Sequence, residues 1–266
     1  MKIGFIGSGN MATAMITGII NNKVVDKADL YASDANEAAV NKIKENFGIN
    51  ATTDNITVAK NSDVLILSVK PQFYKTVISQ IKDTVTEKTI IVTIAAGQTL
   101  KAVTEMFGRT DLKIIRTMPN TPALVGEGIT GLCKNENITE EEMNTVCGIF
   151  NSFGKAEVIT ENMMDAVVAV SGSSPAYVFM FIEAMADAAV AEGMPRAQAY
   201  KFAAQAVYGS AKMVLETGKH PAELKDMVCS PAGTTIEAVR VLEEKGFRSS
   251  VIEAMKACSD KSRKLG

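Results

Sequence analysis

The N-terminal segment Gly7–Ala12, with the sequence GSGNMA, has the residue types of a phosphate-binding turn. It follows a short apolar run directly and opens an apolar-periodic stretch, so a strand is expected to lead into a turn and a helix. Gly7 permits the tight turn, Gly9 lets backbone N–H groups approach a pyrophosphate, and Ala12 is small enough for the helix to pack on the strand. This setting favours dinucleotide binding over a glycine-rich turn without a ligand.

The end of the second predicted strand bears on the kind of dinucleotide. Ser33 is followed by Asp34, with no arginine adjacent. An acidic residue at this point accepts a hydrogen bond from the ribose 2′-hydroxyl of NAD, whereas small hydroxyl or basic residues tolerate a 2′-phosphate. Asp34 is equally suited to capping the helix predicted from Asn36. The residues therefore leave the choice between NADH and NADPH open.

Three further strand ends contribute candidate residues. Ser68–Gln72 closes the fourth strand, which neighbours the first in a doubly wound sheet, so Lys70 is expected near the glycine turn at the topological switch point. A solvated lysine without a ligand is the alternative. Ala95–Gly97 ends the next strand with side chains small enough for a nicotinamide ring to approach. Arg116–Pro122 ends another strand and suits either a structural turn or a substrate contact.

The segment Ser230–Glu237, SPAGTTIE, is the most distinctive feature of the second half. It combines hydroxyl groups, free N–H groups and a predicted helix N-terminus, which together suit a small carboxylate. Thr234 and Glu237 also match the T-x-x-E pattern of a capping box, and the two interpretations can coexist. His220 precedes a proline at another predicted helix start and has no orienting carboxylate at suitable spacing, so we expect a surface or capping histidine.

Composition excludes several classes of function. The 266 residues include 28 basic and 30 acidic side chains, a formal net charge of −2, so neither nucleic acid nor an anionic membrane is expected as a partner. A single histidine excludes mechanisms that need two, such as a paired zinc site, and no metal is predicted. The cysteines form no C-x-x-C pair, which predicts four free buried thiols and suits a cytoplasmic protein. They are Cys133, Cys147, Cys229 and Cys258.

An uncharged run, Ala166–Ile182, resembles a membrane segment in composition. It is interrupted by Ser171–Pro175 and is shorter than the roughly 20 residues that a membrane helix requires. We therefore expect a chain without a membrane-spanning helix.

The first half of the chain alternates strands and helices, and its strands are apolar on both faces, which is typical of a parallel doubly wound sheet. The expected strands are Lys2–Ile6, Leu30–Ser33, Val64–Val69, Thr89–Ile94 and Lys113–Met118, with helices at about Asn10–Ile20 and Asn36–Phe47. From Asn162 onward only helical periodicity remains. The expected helices there are Pro175–Glu192, Arg196–Glu216, His220–Met227, Thr235–Glu244 and Phe247–Lys264.

These patterns predict an α/β protein with two domains, a dinucleotide-binding domain over residues 1–160 and a helical domain over residues 161–266. The helical half carries more apolar surface than one small domain can bury, so homo-oligomerisation through it is expected. Alanine-rich faces should allow its helices to pack closely.

Five segments occur in the order found in pyrroline-5-carboxylate reductases: Gly7–Ala12, Ser68–Pro71, Arg116–Ala123, Ser171–Tyr177 and Ser230–Thr235. The chain resembles that family over essentially its whole length. The resemblance implies reduction of Δ1-pyrroline-5-carboxylate to L-proline, the last step of proline biosynthesis, with NADPH as cofactor and NADH as the alternative. It implies an N-terminal Rossmann domain and a C-terminal all-helical dimerisation domain that interlocks with a second subunit. In the family the active site lies between the Rossmann domain of one chain and the helical domain of its partner. The expected assembly is a homodimer or a larger ring of dimers.

The resemblance also implies site residues. The cofactor contacts are Ile6, Gly7, Ser8, Gly9, Asn10, Met11, Ser33, Asp34, Asn55, Val69, Lys70, Pro71, Ala95 and Ala96. The substrate contacts are Ser230, Gly233, Thr234 and Thr235, with Thr235 as the catalytic residue that hydrogen-bonds the ring nitrogen. Two positions depart from the family pattern. Ala232 stands where a second glycine is usual, and Asp34 is not the residue expected for firm NADPH preference.

The chemistry implied by the resemblance agrees with the scarcity of histidine. An iminium ion is already electrophilic and can arrive protonated, so positioning does most of the catalysis and no strong general base is needed. Two alternatives are a reductase of another cyclic imino acid and a non-catalytic module that senses dinucleotides.

Overall fold

The computed structural model describes residues 1–264. Its strands are β1 Ile3–Ile6, β2 Leu30–Ser33, β3 Asn50–Thr52, β4 Val64–Leu67, β5 Ile90–Thr93, β6 Lys113–Met118, β7 Gly128–Lys134 and β8 Gly154–Val158. They form one eight-stranded sheet in the order β3-β2-β1-β4-β5-β6-β7-β8. All neighbours are parallel except β6 and β7, which are antiparallel.

Helices connect and follow the strands. They are α1 Asn10–Asn21, α2 Glu37–Phe47, α3 Asn55–Lys60, α4 Tyr74–Ile81, α5 Leu100–Phe107, α6 Glu140–Asn151, α7 Met164–Val167, α8 Ser174–Ala191, α9 Arg196–Thr217, α10 Pro221–Val228, α11 Thr234–Glu244 and α12 Phe247–Arg263. Shorter 3₁₀ turns occupy Lys27–Asp29, Pro71–Phe73, Thr121–Val125 and Glu161–Met163, and Val168–Gly172 is a π-helical turn.

The strand order reverses between β1 and β4, which is the point where ligands bind in open α/β sheets. The last residues of neighbouring strands are in register: Ile6 pairs with Ser33 on one side and with Leu67 on the other. Leu67 in turn pairs with Thr93. The turns that follow β1, β2, β4 and β5 therefore lie along one edge of the sheet, as the doubly wound prediction requires.

Both faces of the sheet are buried, which confirms the prediction from its apolar strands. On one face Phe5 and Ile66 pack in a cluster with residues of α1 and α6, including Ile16 and Phe150. On the other face Leu65 belongs to a cluster supplied by α3, α4 and α5. Alternating residues of one strand thus enter two different cores, and the strand ends are held firmly from both sides.

Three strands, β3, β7 and β8, were not predicted from the sequence, and neither were the helices α3, α4, α5, α6 and α7. β3 has only three residues and lies at the sheet edge, and glycines weaken the strand signal of β7 and β8. These glycines allow close backbone approach, because a Cβ added to Gly154 would lie 2.0 Å from the carbonyl oxygen of Gly128.

The chain divides into two compact units. Among the described residues, the sheet unit comprises residues 1–173 and 258–264, and the helical unit comprises residues 174–257. Residues 164–173 group with the sheet unit because Met164 and Ala169 are buried there and the side-chain amide of Asn120 donates to the carbonyl of Ser171 at 3.1 Å. The predicted domain boundary at residue 160 rests on the change from strands to helices and remains a prediction.

All residues of the helical unit are described, and its regular elements are helices. Helices α8 and α9 pack against each other, and Ala186, Ala199 and Ala203 are its buried apolar residues. Small side chains thus allow the close helix packing that was expected. Many large apolar side chains are exposed, and the solvent-accessible fraction of Leu215 reaches 84%. Others are Phe179, Met180, Phe202, Tyr208, Met213 and Ile252.

One helical stretch among the described residues, Glu161–Ala191, is long and apolar enough to cross a membrane by length and composition, with a mean hydropathy of 1.4. The expectation that Ser171–Pro175 makes the run too short was wrong, since the stretch has 31 residues. It continues through the π-helical turn, and Pro175 takes the second position of α8, where a missing N–H costs no helical hydrogen bond. Helices that pack against other protein segments can have the same length and apolar composition.

Candidate functional site

The glycine turn after β1 requires glycine at its first position. Gly7 has φ +96°, and a Cβ there would lie 2.8 Å from Cγ1 of Val69 and 2.9 Å from the carbonyl of Ser68. The turn is tied to its neighbours because Gly7 N–H donates to Ser33 O at 2.8 Å and Ser68 N–H donates to Ile6 O at 2.9 Å. The turn therefore lies between the ends of β2 and β4.

Gly9 serves a different purpose in the same turn. It is the N-cap of α1, has φ −70°, and provides no side-chain cap, and the first turn of α1 contains no acidic residue. A Cβ at Gly9 would meet no atom of the protein within 4 Å, so packing of the chain itself does not demand a glycine. Open space above uncapped helix N–H groups suits an approaching phosphate. Ala12 is buried in the helix–strand contact, as expected.

A cleft of about 440 Å³ opens beside this turn. It brings together Ile6, Gly7, Gly9, Asp34, Asn55, Val69 and Lys70, all of which were predicted as cofactor contacts. It is also lined by residues that were not so predicted, namely Ala35, Ser68, Gln72, Phe73, Thr76, Val77 and Gln80. Most of these belong to the 3₁₀ turn after β4 and to α4. The apolar spacing of Tyr74, Val77, Ile78 and Ile81 was the signal that could have revealed this helix.

The other predicted cofactor residues lie along the same edge of the sheet. Ser8 is in the glycine turn, Asn10 and Met11 begin α1, Ser33 ends β2, Pro71 begins the 3₁₀ turn, and Ala95 and Ala96 follow β5. Ser33 is buried, and its hydroxyl donates to Oδ1 of Asn55 at 2.7 Å. The amide of Asn55 donates to Oε1 of Gln80 at 2.7 Å. This chain of hydrogen bonds fixes the wall of the cleft between β2 and α4.

Asp34 faces the glycine turn. Its Oδ2 accepts hydrogen bonds from Ser8 N–H at 2.9 Å and from the Ser8 hydroxyl at 3.0 Å. The N-cap of α2 is Asn36, whose side chain accepts from Ala38 N–H. The alternative that Asp34 caps this helix is therefore wrong.

Lys70 lies at the end of β4 with its side chain exposed, and its ammonium has no ion-pair partner among residues 1–264. The strand end that leads to Lys70 is fixed by Tyr74, whose hydroxyl donates to Leu67 O at 2.8 Å. Burial raises the pKa of Tyr74 well above its ordinary value, so the hydroxyl stays a donor. Lys70 is thus positioned at the cleft with a free charge.

The contacts found for the Arg116–Pro122 segment are structural. Arg116 is 5% exposed, and its Nη1 donates to Oε1 of Glu161 at 3.0 Å, while the same oxygen accepts from Leu100 N–H at 2.8 Å. Oδ1 of Asn120 accepts from Ile129 N–H at 2.9 Å. These bonds tie β6, the start of α5 and the residues after β8 together, next to the strand end that carries Ala95 and Ala96.

The cysteines are free thiols, as expected, although only Cys133 is buried. Burial raises the pKa of Cys133 to about 11, which makes it an unreactive thiol at neutral pH. Among residues 1–264, no three histidine, cysteine or acidic side chains come together as metal ligands.

The predicted substrate segment in the helical unit forms a tight turn followed by α11. Gly233 N–H donates to Ser230 O at 3.0 Å, with Pro231 second and Ala232 third in the turn. Ala232 has φ +57°, a conformation that favours glycine at this position. A Cβ on Gly233 would lie 2.3 Å from the Ser230 hydroxyl oxygen, so glycine at this position keeps the hydroxyl in place.

The predicted capping box at this helix is absent. The N-cap of α11 is Gly233, which provides no side-chain cap, and Thr234 is the first helical residue. Glu237 is therefore the fourth residue of the helix, whereas a capping box needs the glutamate at the third. Glu237 instead forms an ion pair with Arg240 at 2.7 Å, which lowers the pKa of Glu237. Within residues 1–264, no side chain caps the first N–H groups of α11. His220 does cap α10, since its Nδ1 accepts from Ala222 N–H at 3.2 Å.

The reversed strand order, the glycine turn and the uncapped start of α1 define a Rossmann-type dinucleotide-binding protein. Comparison with known proteins agrees. A family model described as pyrroline-5-carboxylate reductase dimerisation matches residues 161–265, and one described as NADP oxidoreductase coenzyme F420-dependent matches residues 2–97.

Relatives match over the whole length. A pyrroline-5-carboxylate reductase of Escherichia coli K12 is 56% identical over 264 residues, covering 99% of this chain and 98% of the relative. A solved pyrroline-5-carboxylate reductase from Coxiella burnetii has a TM-score of 0.93 at 34% identity, covering 100% of this chain and 98% of the other. A Plasmodium falciparum pyrroline carboxylate reductase, solved with NADP bound, has a TM-score of 0.91 at 33% identity with the same coverage. The chain belongs to the pyrroline-5-carboxylate reductase family.

Proposed function

We propose that this chain reduces Δ1-pyrroline-5-carboxylate to L-proline, the last step of proline biosynthesis, with a reduced nicotinamide dinucleotide as hydride donor. The observation that carries the proposal is the 56% identity over 99% of the chain to a pyrroline-5-carboxylate reductase. The cleft at the glycine turn supports a dinucleotide in particular, because Gly9 leaves open space where a phosphate would approach uncapped N–H groups.

The sheet unit is proposed to bind and orient the dinucleotide. The Gly7–Ala12 turn holds the pyrophosphate through backbone N–H groups, and the free ammonium of Lys70 attracts the phosphates and ribose at the same cleft. Ala95 and Ala96 have small side chains that leave room for the ring at the end of β5. When bound, the reduced nicotinamide supplies the hydride.

The helical unit is proposed to bind the imino acid. The uncapped N–H groups at the start of α11, with the hydroxyls of Ser230 and Thr234, hold its carboxylate, and Gly233 leaves room for the Ser230 hydroxyl. The Thr235 hydroxyl accepts a hydrogen bond from the N–H of the iminium form, whose proton comes from solvent, and the ring carbon next to this nitrogen then receives the hydride. Because the imine can arrive protonated, these groups contribute orientation rather than strong acid–base catalysis.

The cofactor and the assembly are also proposed. The resemblance and the NADP-bound Plasmodium falciparum relative support NADPH, whereas the acidic Asp34 at the end of β2 supports NADH. A homodimer or a larger ring of dimers is proposed, because the dimerisation model matches the half that exposes large apolar side chains. We place the enzyme in the cytoplasm, without nucleic acid or membrane partners.

The substrate ring size separates this function from its nearest alternative, reduction of another cyclic imino acid. Steady-state kcat/KM should be measured for Δ1-pyrroline-5-carboxylate and for a six-membered cyclic imino acid, with NADH and NADPH in one buffer. We expect the five-membered ring to be favoured at least about tenfold, since one methylene in a fitted pocket changes affinity by about 1–3 kcal/mol. A preference for the six-membered ring would assign the chain to the other reaction. Tight dinucleotide binding without oxidation by any imino acid would favour a sensing module.

Replacing Thr235 by alanine tests its proposed catalytic role. Thr235→Ala is expected to lower kcat by about 10- to 100-fold, because a transition-state hydrogen bond is lost, while the Kd of the dinucleotide stays unchanged. Thr235→Ser keeps the hydroxyl and is expected to retain most of the activity. An unchanged kcat in Thr235→Ala would exclude the role.

A further inference from the structure

We propose that Asp34 is a specificity-determining residue that selects against a 2′-phosphate on the adenosine ribose, so that NADH serves this chain at least as well as NADPH. The inference rests on the proposed dinucleotide site. It concerns the end of β2, where the ribose of a Rossmann-bound dinucleotide lies.

The carboxylate of Asp34 is held in one orientation at the rim of the cleft. Ser8 donates two hydrogen bonds to Oδ2, from its backbone N–H at 2.9 Å and from its hydroxyl at 3.0 Å, and Asn36 N–H donates to Oδ1 at 3.0 Å. A carboxylate with three donors does not swing away at low cost when a phosphate approaches. Its remaining acceptor capacity suits a ribose hydroxyl, which can donate, and repels a phosphate, which cannot.

The N-terminus of α2 provides few groups that could stabilise a bound 2′-phosphate. Two of the first three N–H groups of α2 are engaged, since Ala38 N–H bonds the Asn36 side chain and Ala39 N–H bonds Asn36 O. Glu37 adds a second negative charge in the first helical turn. The N–H groups that attract anions at other helix starts are therefore used or opposed here.

The described residues that line this side of the cleft, Asp34, Ala35 and Asn55, include no positively charged side chain. Residues 28–41, which include β2 and the start of α2, contain neither lysine nor arginine. The hydroxyl of Ser33 is buried against Asn55, and the Asn55 amide is engaged by Gln80. Lys70 is the only cation among the residues that line the cleft, and it follows β4, not β2. A 2′-phosphate near Asp34 would thus meet a fixed like charge without a local counter-charge.

Two nucleotide pairs isolate the 2′-phosphate. Titration calorimetry of the full chain should compare 5′-AMP with adenosine 2′,5′-bisphosphate, and NADH with NADPH. For the unaltered chain we expect the bisphosphate to bind no tighter than 5′-AMP, and NADPH no tighter than NADH. Asp34→Ser is expected to change the NADH-to-NADPH ratio of Kd values by about tenfold or more toward NADPH, because repulsion is removed and a hydroxyl is supplied. Asp34→Asn, which keeps the side-chain shape, should shift the ratio in the same direction.

Two control variants separate the effect of the Asp34 charge from the loss of a charge elsewhere and from the loss of the Ser8 hydroxyl. Asp29→Asn removes the same charge just before β2, at the opposite end of the strand, and should leave the ratio unchanged. Ser8→Ala keeps the Asp34 charge and two of the three hydrogen bonds to its carboxylate, so it should move the ratio less than either Asp34 variant does. The inference is overturned if both Asp34 variants leave the ratio unchanged, if Ser8→Ala shifts it as much, or if the unaltered chain binds the bisphosphate tenfold more tightly than 5′-AMP. Failure of the proposed reaction would instead appear as absent imine reduction with both cofactors, whatever the affinity ratio.

Discussion

Two glycines of one turn, Gly7 and Gly9, are present for different physical reasons. Gly7 adopts a positive φ, and its neighbours Ser68 and Val69 leave no room for a side chain. Gly9 has an ordinary φ, and a side chain there would point into open space. The first glycine therefore maintains the fold, and the second leaves room for a ligand.

Paired alanine substitutions test this difference. Gly9→Ala is expected to change the free energy of unfolding by less than about 1 kcal/mol but to raise the Kd of NADH and NADPH at least about tenfold, because the methyl group occupies the phosphate approach. Gly7→Ala is expected to destabilise the protein by about 2–3 kcal/mol through strain and overlap. Urea unfolding and fluorescence titration measure both quantities. An unaltered dinucleotide Kd in Gly9→Ala would contradict the assignment of the turn.

Residue types at strand ends, with the family resemblance, were enough to predict half of the residues that line the cleft. The glycine turn, Val69 and Lys70 follow from the rule that parallel strands end at one edge, and Asn55 follows from the family resemblance. The partner of Asp34 could not be predicted, since both a helix cap and a cofactor contact fit its spacing. Only the three-dimensional structure shows that Ser8 donates two hydrogen bonds to the Asp34 carboxylate.

At the scale of elements, one sequence pattern leads to two outcomes. Thr139 and Glu142 form a capping box at α6, where Thr139 is the N-cap. Thr234 and Glu237 have the same spacing at α11, yet Gly233 is the N-cap and no box forms. The pattern cannot indicate which residue takes the cap position, because that depends on the preceding backbone. Here the Ser230–Gly233 turn sets the start of the helix, which leaves its N–H groups available to a ligand.

The capping box at α6 makes stability depend on pH. Partial burial raises the pKa of Glu142, but the hydrogen bonds from Lys113 at 2.5 Å and from Thr139 N–H outweigh it, so the pKa lies below its ordinary value. A depressed carboxyl pKa stabilises the fold above the unfolded-state pKa of about 4.3 and loses this contribution as the pH falls through the folded-state value.

We therefore expect the unaltered chain to lose more unfolding free energy between about pH 5 and pH 3 than Glu142→Gln does, by about 1 kcal/mol. Glu141→Gln, at a neighbouring exposed carboxylate, serves as the matched control and should follow the unaltered chain. Urea titrations at each pH measure the effect. Parallel pH profiles for the unaltered chain and Glu142→Gln would contradict it.

At the scale of the whole molecule, the two halves of the chain differ in how much they bury. The sheet unit has large apolar clusters on both faces, whereas the helical unit buries alanines and exposes large apolar side chains such as Phe202 and Leu215. The change from strands to helices could be predicted from periodicity. The compact units could not, because residues 164–173 are helical in sequence and yet pack with the sheet.

The exposed apolar surface of the helical unit is expected to be covered by a second copy of the chain. Analytical ultracentrifugation between about 0.1 and 10 μM should give at least twice the mass of one chain. The assembly should persist at about 1 M NaCl, since screening weakens contacts between charges and not apolar contacts. A monomer at the highest concentration would contradict the assignment of this half to dimerisation.

The central claim is hydride transfer to a cyclic imine, and the most direct measurement follows the hydride itself. The chain should be incubated with Δ1-pyrroline-5-carboxylate and NADH or NADPH carrying deuterium at both C4 positions, and the product examined by mass spectrometry and NMR. The account predicts L-proline with a single deuterium on the ring carbon next to nitrogen and distal to the carboxylate, formed in equal amount to the oxidised cofactor. Dinucleotide binding without labelled proline would contradict it.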